Sequence, residues 1–161
     1  MAKYTIHYQC GHPEIEQLYG PEKERQRRIA WKEQHQVCPT CYRAEQDCAL
    51  AAETGWAREQ NADMPELKGS QAQIDWGERI RARAREHLAV LIGSYTEQDP
   101  PKDEVVDLSV RILKQENAKY WIDRRADFES ADAVARYCSR RIREDRAKAD
   151  GLKAIEAAKL R

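Results

Sequence analysis

The apolar positions change period twice along the chain. Residues 3–8, Lys-Tyr-Thr-Ile-His-Tyr, are β-branched and aromatic and predict a strand. Residues 14–19, Glu-Ile-Glu-Gln-Leu-Tyr, alternate polar and apolar and predict the return strand of a hairpin, which Gly20-Pro21 stops. From 21 to 36 the chain is rich in Glu, Lys, Arg and Gln, all good helix formers, with Ile29 and Trp31 as a narrow apolar stripe. Pro21 suits the first helical position, where a missing N–H costs nothing. A further helix is expected from Cys38-Pro39-Thr40-Cys41 to about residue 53, closed by Gly55.

Beyond residue 69 the period is that of helices alone. Ser70 and Gln73 form a Ser-x-x-Gln capping box. Ile74, Gly77, Ile80, Ala84, Leu88 and Leu91 then fall on one helical face running to about residue 93. Arg79, Arg81, Arg83 and Arg85 alternate along that helix and are expected to wrap its polar side. Gly93-Ser94 and Pro100-Pro101 end it. The next helix begins near Asp103, with Val106, Val110, Leu113, Tyr120 and Trp121 as its apolar face. The last begins near Ser130 and carries Val134, Cys138, Ile142, Ala149, Leu152 and Ile155, with Gly151 as a candidate break before an Ala- and Lys-rich, weakly anchored tail. The expected fold is α+β and mostly α-helical. It has a small zinc-bound β-hairpin module at 1–55, an acidic linker at 56–69 and a three-helix unit at 70–161.

Composition adds limits to this pattern. No run of 18 apolar residues exists, so no membrane span is expected. Residues 1–6 lack the apolar stretch of a secretory signal. Cysteines number five, an odd count, and the paired ones have metal spacing; both facts point to a reducing, cytoplasmic setting rather than a disulfide framework. The formal charge is zero but uneven: residues 44–69 carry −4 and residues 119–161 carry +4. A protein that lives on duplex DNA usually shows a clear basic excess, and only the C-terminal tail approaches one.

The candidate chemistry lies in two short knuckles. Cys10-Gly11-His12 and Cys38-Pro39-Thr40-Cys41 each offer two metal ligands from one tight turn, and zinc takes a tetrahedron of thiolate and imidazole. Gly11 makes the close Cys-x-His spacing feasible, because glycine accepts the positive φ of a sharp reversal. His7 is a rival fourth ligand through His7-x2-Cys10, but a regular strand would set it on the face opposite Cys10, which favours His12. Four good ligands make the zinc structural, since catalytic zinc keeps one position open to water. His12-Pro13-Glu14 with the later cysteine pair loosely echoes a zinc deaminase, yet Cys10 as a fourth ligand speaks against one.

A zinc-bound hairpin knuckle whose second ligand pair opens a helix resembles the treble-clef or zinc-ribbon group. The wider pattern of Cys10-Gly11-His12, Leu18-Tyr19-Gly20, a charged helix and Cys38-Pro39-Thr40-Cys41-Tyr42 also looks like small uncharacterised zinc-knuckle proteins of phages and mobile elements. Pro65-Glu66-Leu67-Lys68-Gly69-Ser70 and Ile74-Asp75-Trp76 fit the continuation of that pattern. The resemblance implies an accessory gene product, and in its specific version an inhibitor of a bacterial defence system. It assigns no chemistry.

The expected role is therefore a non-enzymatic, zinc-stabilised binding protein acting by protein–protein contacts. The rival is a nucleic-acid-binding accessory or regulatory protein using the basic surfaces of the 22–35 helix and of residues 119–148. The densest aromatic and basic stretch, Lys119 to Arg125, is the candidate working surface, with Tyr120, Trp121, Arg124 and Arg125 as contacts. The alternative for Trp121 is the core. Trp31, Trp56 and Trp76 are likewise expected to pack inside rather than to stack bases. Cys48 and Cys138 are expected as core thiols. Glu144 and Asp145 are expected to pair with Arg140 and Arg141.

Overall fold

The structure is a computed structural model describing residues 2–95 and 102–159. The chain divides into two compact units, Met1–Ala52 and Glu53–Arg161. In the first, strands β1 (Ala2–His7) and β2 (Pro13–Leu18) pair antiparallel with Thr5 opposite Ile15 and His7 opposite Pro13. Gly11 turns the chain between them at φ 81°, in the left-handed region that glycine takes without strain. One face of the hairpin buries Ile6, Tyr8 and Leu18, while Ile15 on the other face is exposed. Helix α1 (Glu22–His35) follows, with Pro21 one residue earlier than expected, at its N-cap. It buries no residue fully and is tied to the hairpin by polar contacts. Arg25 Nε donates to the Tyr4 hydroxyl at 2.9 Å, and Lys32 pairs with Glu16.

Helix α2 (Pro39–Gln60) runs through Gly55, which was expected to close it, and through the division between the units. The segment 56–69, read as a linker from its acidic composition, is the end of α2 followed by a packed turn. Asn61 and Leu67 are buried, and the Lys68 N–H donates to the Glu116 carbonyl at 2.6 Å. The arginine row of α3 (Gln71–Ser94) reaches this segment and the two residues of α2 at 53–54. Arg79 reaches Thr54 at 3.0 Å, Arg81 the Pro65 carbonyl at 2.7 Å, Arg83 the Glu53 carboxylate and Arg85 the Asp63 carboxylate at 2.7 Å. Two of the acids of residues 44–69, Glu53 and Asp63, thus find their counter-ions on α3, in Arg83 and Arg85.

Arg81 does not lie on a solvated side. It is 1% exposed, and its guanidinium donates to both oxygens of Glu78, at 2.8 and 2.9 Å. Asn61 closes the group by donating to Glu78 Oε2 at 2.6 Å. A buried charge must find partners because it has lost water, and here one turn of helix and the 61–65 segment supply them.

The capping box at Ser70 and Gln73 forms as expected, and the predicted α3 face becomes the core. Gly77 sits where a Cβ would come within 2.9 Å of Leu67 Cδ1, which accounts for a glycine inside a helix. The expected helix from 103 to 121 splits in two: α4 (Lys102–Leu113) and α5 (Ala118–Asp123), the latter started by the Asn117 side chain accepting from the Lys119 N–H. The core face of α4 is Val105, Leu108 and Ile112; Val110 points outward. Carrying one stripe on to Trp121 imposed the wrong phase, because the break at 114–117 lets each helix turn its own face inward. A 3-10 turn, Arg125–Phe128, leads to α6 (Ala131–Lys159), whose first half buries Val134, Tyr137 and Cys138. The helix continues through Gly151, and there Leu152 and Ile155 are exposed. The Pro100-Pro101 pair lies outside the described residues. The mostly helical α+β class holds, with four helices and a 3-10 turn among the described residues of 71–159 in place of three helices.

Candidate metal centre

Two elements deliver the ligand set. Cys10 and His12 flank Gly11 in the turn that leaves β1, a turn closed by the Gly11 N–H donating to the Tyr8 carbonyl at 2.8 Å. The Gln9 N–H donates to the Gln36 carbonyl at 2.9 Å, which brings the second knuckle alongside. Cys38 is buried just before α2, and Cys41 lies in its first turn. Ile6 and Tyr8 pack on Cys38, with Ile29, Cys10 and Cys41 around them.

The ligand atoms of Cys10, His12, Cys38 and Cys41 all lie within 4.8 Å of one another. An ion bound tetrahedrally at about 2.0–2.3 Å sets its ligands roughly 3.4–3.8 Å apart, so a small contraction around a metal completes the site. His12 presents Nδ1, which is 3.2 Å from Cys41 Sγ and 3.9 Å from Cys38 Sγ. His7 is not in the cluster; it stays on the strand, where its N–H donates to Glu33 at 3.2 Å. Of the two histidines, the structure brings His12 and not His7 to the three cysteines.

The electrostatics favour a cation at the centre. The Cys38 N–H donates to Cys10 Sγ at 3.3 Å and the Cys41 N–H to Cys38 Sγ at 3.3 Å, so backbone donors support negative sulfur. The backbone N–H groups of Cys38 and His12 hold the Cys10 thiol down at about 6. Hydrogen bonding to Cys38, together with burial and the neighbouring sulfur charges, pushes Cys41 up to about 11. The sulfurs are too close to be thiolates together without a positive ion between them. Three thiols and one imidazole are the donors such an ion finds.

Beside the knuckles a cleft is lined by Tyr8, Glu16, Lys32, His35, Pro39 and Tyr42. Its polar groups satisfy one another: the Tyr8 hydroxyl and Lys32 both donate to Glu16. Burial and that bond to Glu16 raise the Tyr8 phenol well above its ordinary value.

The second predicted site is partly dissolved by the fold. Trp121 is 0% exposed and packs on Phe128 with ring centroids 5.2 Å apart, so it cannot be a contact residue. Its indole N–H donates to the Gln115 carbonyl at 3.1 Å. Tyr120 is partly buried and bonded to the Tyr137 hydroxyl at 2.8 Å. Arg124 and Arg125 remain at the surface. Trp31, Trp56 and Trp76 are exposed, against the expectation that they pack inside. Cys48 is exposed on α2, against the same expectation, while Cys138 is buried. The arginines of α6 are largely neutralised: Arg140 by Asp127, Arg141 by Glu144, Arg146 by Glu104. Arg140 thus pairs with Asp127 rather than with its own helix. On α1, Lys23, Arg27 and Arg28 stay exposed.

No protein-family model matches this chain, and neither a curated protein nor a solved structure does.

Proposed function

We propose that this chain is a zinc-stapled, non-enzymatic binding protein that works through protein–protein contacts. The observation that carries the reading is the closed Cys10, His12, Cys38 and Cys41 set, within 4.8 Å in all. Three thiolates and an imidazole in a tetrahedron are zinc's donor set, and four protein ligands leave no position for a reacting water. With the buried apolar residues of this unit as few as Ile6, Tyr8, Leu18 and Cys38 among those described, metal binding supplies folding free energy. Around the staple, Ile15, Tyr19, Trp31 and Tyr42 are exposed. Tyrosine and tryptophan are enriched where partners dock. The resemblance to zinc-knuckle proteins of phages and mobile elements makes a host defence component the specific candidate target.

Lys23, Arg27 and Arg28 on α1 favour the second reading, a nucleic-acid-binding accessory protein. Capture of partners from bacterial lysate separates the two. A specific protein bound by the zinc-loaded chain and lost on chelation supports the first reading. DNA or RNA binding whose affinity falls steeply with salt, in place of such a protein, moves the assignment to the second.

A further inference from the structure

Arg124 and Arg125 stand apart from the other surface arginines of Glu53–Arg161. Arg83, Arg85, Arg111, Arg140 and Arg146 each have a carboxylate partner. Among the described residues Arg124 and Arg125 have no ion pair, although Asp123 adjoins them in the chain. They are nevertheless held. The Arg124 guanidinium lies 4.5 Å from the centroid of the Tyr120 ring, and Tyr120 is itself fixed by its hydroxyl bond to Tyr137. The Arg125 guanidinium lies 5.9 Å from the Trp76 ring and donates to the Ile122 carbonyl at 3.2 Å. Trp76 is 42% exposed. Arg136 and Arg143, on α6, also lack an ion pair, but no ring holds either of them.

Two planar cations laid against aromatic rings, with no counter-ion of their own, are preorganised for an anion. Stacking restrains a long side chain before binding, so less freedom is lost in the complex. The Arg124 guanidinium keeps its N–H donors for a carboxylate, which an arginine fork matches in bidentate fashion, and Arg125 keeps those it does not give to the Ile122 carbonyl. Trp76 offers apolar area beside it. A nucleic-acid footprint would need a longer run of free cations along a phosphate backbone, and Asp127, Glu144 and Glu104 have already neutralised the neighbouring arginines of α6.

We propose that Arg124, Arg125, Tyr120 and Trp76 form a docking surface for an acidic protein segment, one carrying carboxylates next to an apolar or aromatic side chain. This rests on the binding-protein reading above and names the chemistry of its partner.

The test uses the full zinc-loaded chain and a fluorescein-labelled peptide of alternating glutamate and leucine. A lysine–leucine peptide and a labelled single-stranded oligonucleotide serve as comparisons. Anisotropy should rise with the acidic peptide and stay flat with the basic one. Arg124→Glu with Arg125→Glu should weaken binding at least about tenfold with an unchanged thermal midpoint, and Trp76→Ala should weaken it too. Arg136→Glu with Arg143→Glu, the same charge change without the rings, should leave binding intact. Equal loss in both double variants, or no binding by the unaltered chain, overturns the proposal. So does tighter binding of the oligonucleotide that is lost in the Arg124/Arg125 variant, which would make this a phosphate contact. In lysate capture, a partner retained by that variant overturns this surface and leaves the binding-protein reading standing. Acidic-peptide binding through Arg124 and Arg125 without any specific protein captured supports the surface and counts against that reading.

Discussion

The backbone N–H of Cys38 donates to the sulfur of Cys10 at 3.3 Å, across 28 residues of chain. That bond places a donor from one knuckle on the ligand of the other and sets the two turns side by side. The imidazole of His12 then faces Cys41 from the same side. With the four ligand atoms within 4.8 Å of one another, each ligand should count and the neighbouring His7 should not.

Purified protein should therefore carry one zinc, retained by His7→Ala and lost or strongly weakened in His12→Ala, as read by metal analysis. Retention should also depend on pH, because metal binding requires the thiolates. The Cys10 value of about 6 is below the ordinary thiol value of 9.0. Backbone donors favour its thiolate while Cys41, pushed up to about 11, favours its thiol, so protons and zinc compete across the whole set. Competition with a chromophoric chelator should show zinc affinity falling steadily as pH falls; an affinity that does not change with pH would contradict this assignment.

Gly11→Ala should damage the same site through the backbone alone. Its φ is 81°, and a Cβ there would meet no atom within 4 Å. The cost is the left-handed conformation itself, about 1–2 kcal/mol. Zinc affinity should fall roughly tenfold, measured by chelator competition, and Gly11→Asn should be milder. An alanine variant with full affinity would mean the turn can reach the ligands by another path.

Glu78 and Arg81 should dominate the polar energetics of the helical unit. Removing one member of a buried pair leaves the other charged and unpartnered, at a cost of about 3–5 kcal/mol. Glu78→Ala should show this loss in denaturant unfolding. Replacing both, as Glu78→Leu with Arg81→Met, should cost much less. Asp63→Ala, which breaks an exposed pair with Arg85, should stay within about 1 kcal/mol.

The end of α6 should be dispensable for stability. Leu152 and Ile155 are 63% and 55% exposed, so their side chains bury little in this chain. Leu152→Ala with Ile155→Ala should shift stability by no more than about 0.5 kcal/mol, seen as a nearly unchanged thermal midpoint. A large loss would show that the tail packs where its exposure says it does not.

What the chain by itself determined is what a few neighbouring residues can decide. The capping box at Ser70 and Gln73 closes within one turn. Gly11 permits its reversal whatever surrounds it. The Cys-x-His and Cys-x2-Cys spacings bring ligand pairs together through local geometry alone, and the 74–91 stripe needs only the period of a helix. Tertiary structure decided the rest, because burial depends on what arrives from elsewhere. Arg81 looks like any of its alternating neighbours until Glu78, Asn61 and the Pro65 carbonyl surround it. The segment 56–69 reads as an acidic linker until the arginines of α3 take hold of it. His12 prevails over His7 only when α2 sets Cys41 beside its ring. Trp121 and Trp76 carry the same indole. One is core because Phe128 and α3 close over it, and the other stays partly exposed, with only the Arg125 guanidinium near its ring among the contacts of the described residues. Composition records how many such side chains exist; only the packing of distant segments selects which of them lose water.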